Sequence, residues 1–101
     1  MKKKKKKAAK KLENRAPIRI VVLQRGWVVV GAYSQSGDDC LIRHGHVIRN
    51  WGTTKGLGEI ATNGPTDNTL LDAIPETRFH ALTVVLSLDC ATEKWADKCA
   101  P

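Results

Sequence analysis

The residues best equipped for chemistry gather between Arg49 and Gly64. Thr53, Thr54 and Lys55 stand just ahead of Leu57-Gly58-Glu59-Ile60-Ala61-Thr62-Asn63, a stretch that reads as two turns of helix. Gly56 or Thr54 is the N-cap, Glu59 sits near the positive end of the dipole, and Gly64-Pro65 is the stop. The N–H groups that open a helix attract anions. Two hydroxyls and the Lys55 ammonium would converge on them, with Arg49 and Trp51 at the flank. Arg49, Trp51, Thr53, Thr54, Lys55 and Gly56 are therefore the expected ligand-binding residues, for a small anionic or nucleotide-like ligand. The same residues also read as a structural joint whose glycines allow close packing. Arg43 and Arg49 share a strand face with Trp51, the arrangement that stacking on a base requires. Large aromatics are mostly buried, however, so Trp51 and Trp27 are expected in the core.

Other patterns exclude more than they supply. Gly56-Leu57-Gly58-Glu59-Ile60-Ala61 matches the dinucleotide fingerprint in form, but a chain of 101 residues with one short helix has no room for a doubly wound sheet. His44 and His46 would share a strand face, yet Gly45 breaks that strand and no further ligand lies at a zinc-like spacing. Cys40, Cys90 and Cys99 form no CxxC pair, which argues against a disulfide framework and for a reducing compartment. No nucleophile, base and carboxylate fall in a recognisable order. The chain is expected to be non-enzymatic, with no catalytic residues, no metal and no cofactor.

The formal charge of +7 is unevenly spread. Eight lysines and Arg15 against Glu13 give residues 1–15 a net +8, which leaves −1 for residues 16–101. Residues 1–16 read as a disordered tail, because like charges in a block repel and nothing there repays the entropy of ordering. Lys2, Lys3, Lys4, Lys5, Lys6, Lys7, Lys10 and Lys11 could hold nucleic acid nonspecifically by counterion release. The near-neutral body makes no such electrostatic case. No apolar run approaches the ~18 residues of a membrane span, and no apolar stretch follows the lysines as in a signal peptide. A cytoplasmic protein without membrane contact is expected. So small a domain buries only part of its surface, which points to a homo-oligomer.

The elements that must position these residues are mostly strands. Ile18 to Leu23 and Trp27 to Tyr33 are β-branched runs joined by Gln24-Arg25-Gly26, a hairpin signal. The second run is apolar on both faces and should be central. A third strand runs from Cys40 to Trp51 with a bulge or bend at His44-Gly45-His46. Thr66 to Thr77 has no clear period and reads as loop, with Leu70, Leu71 and Ile74 tucked against the core. In Phe79 to Cys90, Leu82, Val84, Leu86, Leu88 and Cys90 alternate with Thr83, Val85, Ser87 and Asp89, predicting one long strand with one buried face. Ala91 to Pro101 could add a helical turn carrying Trp95 or simply fray. The expected fold is α+β, a small, mostly antiparallel sheet or half-open barrel with one short helix. Its single domain would span residues 17–92, with 93–101 as a C-terminal tail.

Ile48-Arg49-Asn50-Trp51, the small-residue linker and Leu57-Gly58-Glu59-Ile60-Ala61-Thr62-Asn63-Gly64 together resemble a motif of an uncharacterised family of small phage and prophage proteins. That pattern has a hairpin, a basic strand ending in Trp, a linker, Leu-x-x-Leu-Ala-x-x-Gly and a late strand. The likeness covers residues 18–92. It implies a bacterial host cell and an accessory role, and brings no catalytic residue. The expected function is a binding or interaction module, which could sequester an anionic ligand or bind a protein; the alternative is nucleic-acid binding through the lysine tail.

Overall fold

Strands β1 (Ile18–Leu23), β2 (Val28–Ser36) and β3 (Asp39–Asn50) form consecutive hairpins in the computed structural model, which describes residues 17–53 and 56–99. The 3-10 turn Gln24–Gly26 links the first two, with Arg25 and Gly26 both at positive φ. Helix α1 (Leu57–Asn63) follows, then β4 (Leu70–Ala73), β5 (Thr77–His80), a 3-10 turn at Ala81–Thr83, β6 (Val84–Asp89) and helix α2 (Thr92–Cys99). The six strands form one open sheet in the order β4-β3-β2-β1-β6, with β5 also beside β3. Every pairing is antiparallel. The chain is thus α+β, and β2 is central as its two apolar faces require.

The sheet folds over on itself. Ala32 pairs with Arg43 and Val30 with His46, so three steps along β3 oppose two along β2. This is the bulge expected at His44-Gly45-His46, and His44 carries it at φ 51°. Gly31 and Gly45 meet there. A Cβ on Gly31 would lie 2.9 Å from both the Arg43 carbonyl oxygen and the Gly45 Cα, so only glycine permits the crossing. The bend is demanded by chain reach. The Ala81 N–H donates to the Asp38 carbonyl at 2.9 Å, while Val84 pairs with Leu23. Leu23 lies beside the start of β2 and Asp38 beyond its end; a straight ladder would hold those levels roughly 33 Å apart. Residues 81 and 84 can span only ~11 Å. The tip of the β2–β3 hairpin must therefore curl back over the sheet, as bulged strands do when they turn a corner.

Two apolar clusters result. On one face Ile18, Ile20, Val30 and Ile48 are covered by Ile60 and Ala61 of α1 and by Trp95 and Cys99 of α2. On the other, Val21, Val29, Tyr33, Cys40 and Ile42 pack within the fold of the sheet, with Phe79, Ala81 and Val84 beside them.

Several expectations need correction. The described residues form two helices rather than one, and residues 92–99 belong to the domain. Trp95 is fully buried, and its indole N–H donates to the Ile60 carbonyl at 2.9 Å. The loop expected at 66–77 contains β4, which extends the edge of β3. The long strand expected over 79–90 is split by the turn at 81–83, because β5 pairs with β3 and β6 with β1 on opposite sides of the sheet. Leu82, expected to be buried, is 80% exposed there, and Leu86 and Leu70 are also exposed. Trp27 and Trp51 are exposed rather than core. The lysine tail, with the nucleic-acid role expected of it, lies outside the described residues. No helix among the described residues is long and apolar enough to cross a membrane.

Candidate functional site

The linker between β3 and α1 is held by its own short-range bonds. The Thr53 hydroxyl donates to the Gly56 carbonyl and accepts from the Gly56 N–H, both at 3.1 Å. The Trp51 ring lies against Gly56, where a Cβ would meet it at 3.5 Å. The Trp51 carbonyl accepts from Thr69 at 2.7 Å. Arg49 turns to the neighbouring strand, where its guanidinium is 3.1 Å from the Asp72 carboxylate. Trp51, Thr53 and Gly56 are thus together. Arg49 already has a counter-charge, Thr53 has its partners, and Glu59 adds a negative group in the first turn of α1. Thr54 and Lys55 lie outside the described residues.

The arginine platform does not form. The bulge inserts one residue between Arg43 and Arg49, which reverses their alternation. Arg43 follows Ala32 onto the helix-covered face and sits 3.5 Å from Glu76, whereas Arg49 projects from the opposite face. The same insertion separates His44 from His46. Among the described residues no group of three or more His, Cys, Asp or Glu side chains could hold a metal ion.

The groups that burial perturbs are structural. Burial pushes the Cys90 thiol up to about 12, with Cys99 nearby adding to the effect, and pushes Cys99 up to about 11. Both stay protonated and unreactive near neutral pH. Burial also raises Tyr33 to about 12, helped by Cys40; its hydroxyl donates to Gln35 at 2.7 Å and lies 3.3 Å from the Cys40 sulfur. His46, half-buried, is lowered by burial and by Lys98 across from it, and its Nδ1 has no hydrogen-bond partner among the described residues.

A cleft unrelated to the linker opens where the folded sheet does not close. Leu23, Trp27, Val29 and Val47 line one side; Ile74, Thr77, Arg78 and Phe79 line the other. Its volume is about 350 Å³, within the range of small-ligand sites. Six of the eight lining residues are apolar, and Arg78 is the only charged one. Arg78 forms no ion pair among the described residues, and Trp27, at the rim, is 59% exposed. Sequence reasoning missed this cleft because its walls come from four strands and the β4–β5 link. The one local signal was a tryptophan directly after a turn. A second depression, at Arg49, Leu70, Leu71 and Asp72, is floored by the Arg49–Asp72 ion pair.

The fold and cleft define an open antiparallel sheet, bent into two halves and backed by two short helices. No protein-family model, curated protein or solved structure matches the chain. The likeness to small phage proteins rests on the motif residues alone.

Proposed function

We propose that this chain is a non-catalytic binding module whose cleft takes a small, mainly apolar molecule carrying one anionic group. The observation that carries the reading is the cleft itself, an apolar concavity bordered at the β5 rim by one charged residue, Arg78. Small-molecule sites are typically apolar with few polar groups that fix orientation. The anionic ligand expected at the linker is thereby better served in the cleft, since Arg49 is neutralised by Asp72 and Arg78 has no such partner among the described residues. Thr77 and Phe79 face the cleft and Arg78, between them, leaves β5 on the other side, so a carboxylate would meet its hydrogen-bonding fork at the β5 rim while the alkyl or aryl part displaces water from Leu23, Val29, Val47 and Phe79.

Octanoate and octanol distinguish the two halves of this claim. In amide chemical-shift titrations, octanoate should perturb Trp27, Val47 and Phe79 and bind more tightly than octanol. Arg78→Gln should remove that difference. Shifts confined to Arg49, Trp51 and Thr53 would return the site to the linker, and no saturable shifts would end the proposal. Nucleic-acid binding through the lysine tail is separable, because it would fall steeply with salt and leave the cleft resonances unmoved.

A further inference from the structure

We infer that β6 is a self-association edge, and that the partner it fits is a second copy of this chain paired antiparallel to it. The inference does not depend on the cleft.

The hydrogen-bonding direction of β6 is set at its end, where the Cys90 N–H donates to the Ile18 carbonyl at 3.0 Å. In an antiparallel ladder the backbone groups of alternate residues point to the same side. Leu88 and Leu86 therefore face β1, in register with Ile20 and Val22. The N–H and C=O groups of Ser87 and Asp89 point away from β1, and among the described residues β6 is the last strand of the sheet on that side. These groups are a ready template for another strand.

Edges of monomeric sheets are commonly blunted by Lys, Pro or inward-pointing charge. The other two edges are blunted in this way. β4 spans four residues, carries Asp72 in an ion pair with Arg49 and is soon followed by Pro75; β5 carries Arg78 and His80. From Ala81 to Leu88, by contrast, there is no charged residue and no proline. Leu82 is 80% exposed, Val85 62% and Leu86 48%, so apolar side chains accompany the free backbone groups. The register shift between Val22 and Leu23 leaves Val85 as a bulged residue, which confines regular pairing to the stretch from Leu86 to Asp89.

A second copy suits this edge because an antiparallel strand is its own complement about a two-fold axis, the isologous arrangement common in dimers. With that axis at or next to Ser87, the Leu86 and Leu88 side chains of one strand lie beside those of the other. Asp89, the one charge on the strand, falls opposite Ser87 or Val85 of the copy, so no like charges are directly opposed. A strand pair alone buries less than the ~800 Å² per partner of a standard interface. Leu82 and Val85 extend the contact, and the association should be weak enough to depend on concentration in the micromolar range.

Ser87→Pro tests this directly. Proline is tolerated on an edge where the lost N–H faces solvent, so the variant should keep its near-ultraviolet circular dichroism while losing the outer ladder. Sedimentation equilibrium of the full chain should show the wild-type mass rising toward double with concentration, and Ser87→Pro should remain at monomer mass. Should Ser87→Pro fail to fold, Leu82→Lys combined with Leu86→Lys gives the same reading through exposed positions. A wild-type chain that stays monomeric at millimolar concentration overturns the inference. So does a folded edge variant that dimerises as the wild type does.

Discussion

The two apolar clusters are built from opposite faces of one sheet, yet one is sealed and the other is not. On the helix-covered face, Trp95 closes the layer with its ring and ties it with its N–H, so bulk and hydrogen bonding come from one residue. On the other face the sheet supplies its own cover by bending at Gly31 and Gly45. A sheet can cover itself only along the overlap of its halves. Where the overlap ends, Leu23, Val29, Val47 and Phe79 line a cleft with Trp27 beside it. Helices make a lid that can be placed anywhere, whereas a fold-over leaves an opening where it ends. With the cleft as the proposed binding site, stability and binding would belong to different faces.

The contrast can be broken most severely at Trp95. Trp95→Ala removes a fully buried ring and leaves the Ile60 carbonyl without its side-chain donor. The loss should be about 3–5 kcal/mol, a large share of the ~5–15 kcal/mol that holds a domain together. Urea denaturation should show a midpoint shifted far toward zero, or no cooperative transition.

A milder blow comes from pH. Because burial and Lys98 depress the His46 pKa in the folded chain, folding favours the neutral imidazole. The associated stability is fully present above the ordinary value of 6.5 and is lost as pH falls from there through the folded pKa, since only the unfolded chain takes up the proton. Thermal melts should decline over that window, and His46→Gln should flatten the decline.

The smallest effect on stability belongs to Trp27. With most of its surface already wet, Trp27→Ser should shift the urea midpoint by no more than about 0.5 kcal/mol of stability. It should nevertheless weaken octanoate binding. A substitution costing as much here as at Trp95 would erase the distinction between the two faces.

The same distinction explains what the sequence disclosed. β1, β2 and most of β3 were legible because β-branched runs bounded by glycine leave little choice, and α1 was legible from its paired stop. The split at Ala81–Thr83 was not. Leu82 keeps the alternation of Val84, Leu86 and Leu88, and periodicity is blind to a chain that leaves one edge and joins another. β4 is four residues of Leu70-Leu71-Asp72-Ala73, too short to show a period. The importance of α2 was hidden for a different reason: Trp95 and Cys99 lie four apart on one helix face, but only tertiary packing shows that they roof the sheet. At the linker, Trp51, Thr53 and Gly56 lie together, but the internal satisfaction of these groups could not be read. Thr53 bonds to Gly56 and Arg49 to Asp72, the latter across a pairing with a strand not expected to exist. The cleft depends on a fold-over that follows from the Ala81–Asp38 hydrogen bond, a contact no local pattern announces.

The three tryptophans occupy three different environments, with 0% exposure at Trp95, 42% at Trp51 and 59% at Trp27. Their emission is consequently a composite that can be taken apart. Iodide or acrylamide should quench the red-shifted light of Trp27 and Trp51 and spare the blue-shifted light of Trp95, whose indole is held in apolar surroundings. The shielded fraction then reports the integrity of the helix-covered layer, and the quenchable fraction reports events at the cleft rim and the linker. The protein carries, without any label, separate optical channels for its two faces.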